Sequence, residues 1–337
     1  MQILENYDLT GLNTFRVPAR AKFFVEVKNE AEFQELRDLP EFKNNKKFFL
    51  GGGSNVLFTA DFDGIVVLNK LKGIDILSED EAKVRVKCMS GEVWHDLVNF
   101  TVDRNYWGIE NLAYIPGTVG AAPMQNIGAY GAELKDVLEG VEICDLKTGK
   151  HRVFSREECR LGYRDSIFKN ELQDKYFVIS ITLCLSKKEK KNISYKILRE
   201  YLEQNKVEVK KSKDVSDAVT AIRKSKLPDP AVIGNAGSFF KNVFISKEKL
   251  REMKKIYPDM PSFEEDGAIK IPAAWFVEMC GWKGKRVGNA GVHDRQALVL
   301  VNHGNATGQE IKVLADQVIN SVFEKFGIKL VPEVNLI

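Results

Sequence analysis

The sequence predicts a protein of mixed α+β structure with more than one domain. Its 337 residues exceed the size of one ordinary domain, so two or three domains are expected. Short β-branched and aromatic runs, such as 22–27 and 64–68, alternate with segments whose apolar residues recur at helical spacing, such as 30–39. A hydrophobic content of 44% with 10% aromatic residues is enough to build sizeable cores.

Composition narrows the classes of partner. The 50 basic and 47 acidic residues nearly cancel, which gives no argument for a nucleic-acid or membrane partner. No apolar run reaches the length of a membrane span, and residues 1–10 lack the basic and apolar regions of a signal peptide. The five cysteines form no Cys-x-x-Cys pair. We therefore expect a soluble cytoplasmic protein with no structural metal.

The elements can be predicted in chain order after an irregular lead-in over 1–10. Pro228 and Pro230 must end the helix that precedes them, for which Asp214 or Ser216 is the predicted cap. Thr307 caps the last helix and Gly327 stops it. Strands are predicted over 22–27, 47–50, 56–58, 64–68, 83–87, 137–144, 176–185 and 297–302, and helices over 30–39, 94–102, 215–226, 246–255, 272–279 and 307–326.

Residues 186–214 differ from the rest of the chain in composition. Two lysine-rich runs, 187–191 and 210–213, flank Ile193–Tyr201. Charge runs of this kind are normally solvated faces. The flanked piece is expected to be a short exposed insertion that carries Tyr195, and this is the most plausible domain boundary.

The segment Ile115-Pro-Gly-Thr-Val-Gly-Ala-Ala-Pro-Met-Gln-Asn-Ile-Gly-Ala-Tyr-Gly131 holds four glycines, two prolines and no charge. It cannot form a regular helix or a central strand, and it lacks the composition of a disordered linker. Two interpretations remain. The glycines let main-chain amides approach a ligand, as in phosphate-binding loops, or the segment is a buried loop packed under a sheet edge.

Gly51-Gly-Gly-Ser-Asn55 directly follows a predicted strand. Bare amides beside a hydroxyl and a side-chain amide suit a phosphate, whereas the alternative is a tight hairpin turn. No Gly-Lys-Ser/Thr follows and the pattern does not open a helix, so it is neither a Walker loop nor a Rossmann fingerprint.

Three isolated residues are candidates for chemistry. Arg164 stands beside Tyr163, although a lone arginine is usually a surface ion pair. Ser238 follows a glycine-rich turn, but the Gly-x-Ser-x-Gly order of a nucleophile elbow is absent and no histidine completes a hydrolytic triad. Glu333 lies in the apolar tail, where it is either an ordinary strand end or a buried acid able to hold a proton.

These motifs, taken together, resemble those of one family in their order and in their residues. The matching motifs are Asn13-Thr-Phe-Arg-Val17, Gly51-Gly-Gly-Ser-Asn-Val-Leu57, the segment 115–131, Tyr163-Arg-Asp-Ser166, Gly234-Asn-Ala-Gly-Ser-Phe-Phe-Lys-Asn242, Val292-His-Asp-Arg-Gln-Ala-Leu298 and Pro332-Glu-Val334. The sequence resembles the UDP-N-acetylenolpyruvoylglucosamine reductases, or MurB family, over almost its whole length. The insertion that carries Tyr195 resembles the longer type of the family, which has a tyrosine loop over the substrate.

The resemblance implies a three-domain α+β flavoprotein with the vanillyl-alcohol-oxidase-like (PCMH-type) FAD-binding fold. Residues 1–70, with the tail 328–337, would form the first FAD-binding subdomain, 71–214 the second, and 215–327 the UDP-sugar domain. FAD would lie between the first two. The implied FAD-binding residues are Gly51, Gly52, Gly53, Ser54, Asn55, Pro116, Gly117, Thr118, Gly120, Ala121, Gln125, Asn126, Gly128, Ala129, Tyr130 and Gly131.

The resemblance also implies the reaction, in which NADPH reduces FAD and the flavin then reduces UDP-N-acetylglucosamine enolpyruvate. Arg164 and Glu333 match the residues that stabilise the enol-like intermediate, and Ser238 matches the one that protonates it. The implied substrate-binding residues are Tyr163, Tyr195, Arg223, Lys226, Asn242 and Gln296. A monomer is expected. Phe263 and Asn335 depart from members that have tyrosine and arginine there.

Two other functions stay open at this point. One is another FAD-dependent oxidase or dehydrogenase of the same fold. The other is a nucleotide-sugar-binding protein without redox activity.

Overall fold

The computed structural model describes residues 1–265 and 267–337 of the chain. The chain divides into two compact units. The first unit comprises Met1–Tyr7, Ala21–Gly53 and Phe62–Ser225, and the second comprises Asp8–Arg20, Ser54–Asp61 and Lys226–Ile337.

Helices and strands are interspersed along the whole chain. The helices are α1 (Glu30–Asp38), α2 (Pro40–Lys43), α3 (Trp94–Val102), α4 (Lys196–Gln204), α5 (Ser212–Lys226), α6 (Lys247–Ile256), α7 (Ala273–Met279) and α8 (Gly308–Phe326). The strands are β1 (Leu4–Asp8), β2 (Arg20–Val27), β3 (Lys46–Leu50), β4 (Val56–Leu57), β5 (Phe62–Asn69), β6 (Ile74–Glu79), β7 (Lys83–Met89), β8 (Gly128–Ala129), β9 (Ala132–Glu133), β10 (Leu138–Asp145), β11 (His151–Ser155), β12 (Tyr176–Ser186), β13 (Gly234–Ser238), β14 (Val243–Ile245), β15 (Phe263–Glu265), β16 (Ala268–Ile271), β17 (Arg286–Val287), β18 (Ala290–Val292), β19 (Val299–Asn302) and β20 (Asn335–Leu336). Within the described ranges, no helix is both long and apolar enough to pass through a membrane.

The first sheet of the first unit has the strand order β1-β2-β5-β3. Both β2 and β3 run parallel to β5. Residues 64–69 of β5 are all buried, as expected of a parallel strand covered on both faces. Phe33 of α1 stacks on Phe177 with ring centroids 4.1 Å apart, so an aromatic cluster joins this helix to the next sheet.

The second sheet of the first unit is antiparallel, with the order β11-β10-β12-β7-β6. The predicted alternation of β7 is confirmed, because Val84, Val86 and Cys88 are fully buried while the residues between them face outward. Helix α3 occupies the predicted residues 94–102 and packs its apolar face into the same core.

The expected exposure of the flanked piece, 193–201, is wrong in part. Residues 196–204 form the amphipathic helix α4, and Leu198 and Leu202 enter the main core of the first unit. The next helix, α5, begins at Ser212, so neither Asp214 nor Ser216 is its cap. Asp214 instead accepts hydrogen bonds from the backbone N–H groups of Lys210 and Lys211 in the preceding turn. The helical spacing of apolar residues in α4 was hard to recognise from sequence, because the segment is short and lysine-rich runs lie on both sides of it.

Residues 1–10, for which the sequence predicted only a lead-in, contain β1, an edge strand of the first sheet. Tyr7 stacks on Phe24 of β2 at 3.9 Å between ring centroids. Only Tyr7 and Leu4 supply apolar character in this strand, too little for a period-two signal.

The second unit contains the sheet β13-β19-β18-β17, the sheet β14-β16-β15 and a parallel pair formed by β20 and β4. The predicted ends of α8 are confirmed. Thr307 and Glu310 form a capping box, and Gly327 ends the helix with φ of 65°.

The motif Asn13–Val17 is a structural turn of the second unit. The Asn13 side chain donates to the carbonyl oxygens of Leu9 and Val17, each at 3.0 Å, and accepts from the Val17 N–H at 3.1 Å. The carbonyl of Phe15 in turn accepts from the side chain of Asn302 in β19. A Cβ on Gly234 would lie 2.3 Å from that same carbonyl oxygen, so glycine is required there for β13 to approach the turn.

We predict that Asn13→Ala lowers the free energy of unfolding by about 2–4 kcal/mol, because buried backbone groups lose their partners. Equilibrium urea unfolding checks this. Asn45→Ala is the control, since its side chain donates to the Glu41 carbonyl in a partly buried place. Equal effects of the two substitutions would contradict the structural role of the turn.

Candidate functional site

The two glycine-rich segments meet in the first unit, backbone against backbone. A Cβ on Gly52 would lie 2.9 Å from the Cα of Gly117, and one on Gly51 would lie 2.3 Å from the Thr118 Oγ1 atom. A Cβ on Gly120 would lie 2.6 Å from the Cβ of Ser90. Side chains at these positions would push the segments apart.

The arrangement fits an anionic cofactor. In the part of the chain that the structure describes, the N–H groups of Gly52, Gly117 and Thr118 donate no hydrogen bond. The chain after Thr118 is fixed by bonds from Val119 N–H to the Glu92 carbonyl and from Gly120 N–H to the Ser90 carbonyl. Bare amides on a fixed backbone are the donors that bind a phosphate group. The geometry therefore favours the ligand interpretation of both segments.

The second half of the 115–131 segment is organised by Asn126, which is fully buried with φ of 43°. Its Nδ2 donates to Glu133 Oε2 at 2.9 Å and to the Gly162 carbonyl at 3.0 Å, while its Oδ1 accepts from the Lys135 N–H at 3.0 Å. The side chain of this predicted FAD-binding residue thus ties three stretches of backbone together.

The side chain of Arg164 contacts the 115–131 segment. Its Nη2 donates to the carbonyl oxygen of Gly128 at 2.8 Å, and its Nη1 contacts that of Asn126 at 3.5 Å. The residue has φ of 51°, and its guanidinium lies 5.4 Å from the ring centroid of Tyr163. The structure thus brings the predicted catalytic arginine against the predicted FAD-binding loop.

Arg223, from α5, is a second cation close to this loop. Its Nε donates to the Tyr114 carbonyl at 3.0 Å, and its Nη groups make no other hydrogen bond among the described residues. Burial lowers the pKa of Arg223, and the neighbouring charge of Arg164 lowers it further. Two cations that destabilise each other in a partly buried place favour an anion between them.

Tyr195 also reaches the 115–131 segment. It is the residue before α4, and its ring meets that of Tyr130 edge to face at 5.5 Å between centroids. Burial raises the pKa of the Tyr130 phenol, whereas 43% of Tyr195 is exposed. The first unit therefore gathers Gly128, Tyr130, Arg164, Tyr195 and Arg223, which the sequence assigned to three separate roles.

Ser238 and Glu333 come together in the second unit through strand pairing. The Glu333 N–H donates to the carbonyl of Phe239 at 2.8 Å, one residue after Ser238, and the Lys241 N–H donates to the carbonyl of Val331 at 2.9 Å. Ser238 is exposed and Glu333 is half-buried. The glycine-rich turn expected before Ser238 is in fact β13, with an irregular register between Asn235 and Ser238.

The stretch 51–55 is divided between the units, since Ser54 and Asn55 belong to the second. Asn55 donates from Nδ2 to the Glu333 carbonyl at 3.2 Å, and its own carbonyl accepts from the N–H and the side chain of Asn335 at 3.1 and 3.0 Å. The departure at Asn335 thus has a structural role, because its side chain helps to hold the segment that follows Glu333.

The remaining predicted substrate-binding residues lie apart in the second unit. The Asn242 side chain accepts from the N–H of Ala273 at the start of α7, Gln296 is half-buried in the turn before β19, and Lys226 is the last residue of α5. Phe263, the other departure, is 53% exposed on β15. Other predicted positions are on the surface of the loops, with Pro116 and Ala121 exposed and Gln125, Ala129 and Tyr163 half-buried.

Sequence reasoning missed two asparagines at the site. The Asn111 Nδ2 donates to the Tyr130 carbonyl, and the Asn192 Nδ2 donates to that of Gly131, both at 2.8 Å. The one available signal was the position of Asn111 just before the glycine-rich segment, and asparagines near loops are too common to single out.

Comparisons with known proteins agree with this geometry. Residues 21–155 match the family model of an FAD binding domain, and residues 229–337 match that of the UDP-N-acetylenolpyruvoylglucosamine reductase C-terminal domain. The UDP-N-acetylenolpyruvoylglucosamine reductase of Flavobacterium johnsoniae is 47% identical, with both chains covered completely. That of Pseudomonas aeruginosa is 41% identical over 100% of this chain and 99% of its own.

A solved structure is similar along the same length. The crystal structure of MurB from Thermus caldophilus has a TM-score of 0.68 and 22% identity, covering 99% of this chain and 98% of its own. This similarity and the FAD-domain match confirm the predicted α+β, multi-domain flavoprotein fold. Given identities of 41–47% over the full chain, the protein belongs to the UDP-N-acetylenolpyruvoylglucosamine reductase family.

Proposed function

We propose that this chain reduces the enolpyruvyl group of UDP-N-acetylglucosamine enolpyruvate to give UDP-N-acetylmuramate, with FAD as cofactor and NADPH as electron donor. This reaction belongs to peptidoglycan precursor synthesis. The observation that carries the proposal is the close approach of the Gly52 and Gly117 backbones in the first unit. Arg164 donates a hydrogen bond to the carbonyl of Gly128, in the same segment as Gly117. Family membership favours this reaction over another flavin oxidase or a non-redox nucleotide-sugar binder.

FAD, when bound, supplies the hydride chemistry that connects NADPH to the enolpyruvyl carbon. Gly51, Gly52, Gly117 and Thr118 would hold it, because a Cβ at either of the first two glycines would clash with the facing segment and displace its amides. The unbonded amides supply donors for its diphosphate, and the bonds to Ser90 and Glu92 keep those donors in place.

Hydride addition to the terminal carbon places negative charge on the adjacent carbon and its carboxylate. Arg164 supplies a fixed positive charge and hydrogen-bond donors for this charge, and its bond to Gly128 limits the reorganisation needed. Glu333 takes the second stabilising position, on a backbone held by the bond from its N–H to the Phe239 carbonyl. Preorganised groups of this kind contribute on the order of 10²–10³ each in rate.

Ser238 then protonates the carbon. A serine hydroxyl is a weak acid, so it needs both a strongly basic carbanion and a defined position. The register of β13 against β19, in which Ser238 faces Val299, supplies the position.

Cations and polar groups are the proposed ligands of the UDP-sugar. Arg223 contributes unbonded Nη donors suited to an anionic group, and Tyr195 and Tyr163 contribute hydroxyls. Lys226, Asn242 and Gln296 complete the proposed set. The contact between Tyr195 and Tyr130 supports assignment to the longer type, with a tyrosine loop that closes on the substrate.

We further assign residues 1–70 with 328–337 to the first FAD subdomain, 71–214 to the second and 215–327 to the UDP-sugar domain. We place the reaction in the cytoplasm, where the five free cysteines remain reduced, and assign a monomeric state.

We expect Gly52→Ala to reduce the bound flavin per chain at least tenfold, because the new methyl group meets the Gly117 backbone. The ratio of absorbance near 450 nm, about where flavins in general absorb, to that of the protein measures this occupancy. Gly11→Ala is the matched control, as a Cβ there meets nothing within 4 Å. Normal flavin content in the Gly52 variant would show that the apposed segments do not bind the cofactor.

We expect Ser238→Ala to keep flavin reduction by NADPH while turnover of the enolpyruvyl substrate falls about 10²-fold or more. Anaerobic stopped-flow mixing separates these two half-reactions. Ser78→Ala, on the exposed strand β6, controls for loss of a surface serine. Near-normal turnover would remove Ser238 from the proton-donor role.

A further inference from the structure

A pair of asparagines outside the assigned catalytic and binding residues connects Tyr195 to the glycine-rich segment. Asn111 is 1% exposed, and its Nδ2 donates at 2.8 Å to the Tyr130 carbonyl and at 2.8 Å to the Asn192 carbonyl. The Asn192 Nδ2 then donates at 2.8 Å to the Gly131 carbonyl. The segment that leads to Tyr195 is therefore bonded directly to the Gly131 carbonyl and, through Asn111, is connected to the Tyr130 carbonyl.

The hydrogen bonding of the buried Asn111 side chain is incomplete. Its Oδ1 atom is buried and has no hydrogen-bond partner in the described part of the chain. An unsatisfied buried oxygen is unfavourable. Asparagine is suited to this position in spite of that penalty, because its planar NH₂ group donates to two carbonyls at once.

The connection fixes the place where Tyr195 leaves the backbone. Gly131 has φ of 81°, and a Cβ there would lie 3.6 Å from Asn192 Oδ1 and 3.8 Å from the Tyr195 Cβ. The Tyr195 side chain itself makes no capping bond at the start of α4 and is partly exposed. Its ring direction is therefore determined by the Tyr130 contact and by the backbone that Asn192 holds.

We propose that Asn192, supported by Asn111, is a positioning residue that orients Tyr195 for binding of the UDP-sugar. The inference rests on the proposed function of Tyr195. Asn192 does not touch substrate in this role; it lowers the entropic cost of substrate binding by holding the tyrosine in place before the substrate arrives. The pair acts on affinity and leaves the electron transfer from NADPH unaffected.

The test is Asn192→Ala, which removes the bond to Gly131 and leaves the Asn192 carbonyl available to Asn111. We expect KM for UDP-N-acetylglucosamine enolpyruvate to rise about 3- to 10-fold with little change in kcat, the effect of one lost hydrogen bond. The rate of flavin reduction by NADPH stays the same. Asn205→Ala is the matched control, because its Nδ2 also donates to a backbone carbonyl, that of Tyr201, at 2.8 Å at the other end of α4.

A double-mutant cycle with Tyr195→Ala separates positioning from general damage. If Asn192 acts through the tyrosine, Asn192→Ala has no further effect on KM in the Tyr195→Ala background. A full additive effect there, or a normal KM in the single variant while Tyr195→Ala raises KM, would overturn the inference. A normal KM in Tyr195→Ala itself would instead refute the proposed substrate role of that tyrosine.

Discussion

The backbone contact between Gly52 and Gly117 is the constraint on which the rest of the first unit depends. The loops approach to this distance only because Gly52 has no side chain, since even a methyl group there would lie 2.9 Å from the Cα of Gly117. The loop containing Gly117 therefore cannot be fixed by its own packing. It is held by hydrogen bonds to the carbonyls of Ser90 and Glu92, which directly follow β7. The antiparallel sheet therefore determines the position of the two apposed glycine segments.

Glycine also makes the backbone costly to order, because it loses more conformational freedom on folding than any other residue. The 115–131 segment offsets that cost with polar side chains that bond its carbonyls. Asn111, Asn192 and Arg164 each do this in the half of the segment that follows Gly120. In this view Arg164 has two roles, since the bond that stabilises the loop is also the bond that orients its guanidinium.

Features with local causes were predictable from sequence. The cap at Thr307, the period of α3 and the apolar run of β5 each depend on neighbouring residues, and each was confirmed. Features with distant causes were not. The helix α4 exists because Leu198 and Leu202 meet a core built from other segments, and β1 exists because a neighbouring strand offers it an edge. Tertiary context decides such cases over local pattern.

The residues of the site divide in the same way, into those with local sequence signals and those that depend on distant contacts. The glycine segments stand out as sequences because their composition is unusual, whereas Asn111 and Asn192 act through contacts between residues 81 positions apart. The pairing of Ser238 with Glu333 is still more distant in sequence, and it is made entirely by backbone. The bonds of Phe239 to Glu333 and of Asn55 to the Glu333 carbonyl involve no carboxylate oxygen. These contacts use main-chain atoms of Glu333, so they do not depend on which side chain stands at that position.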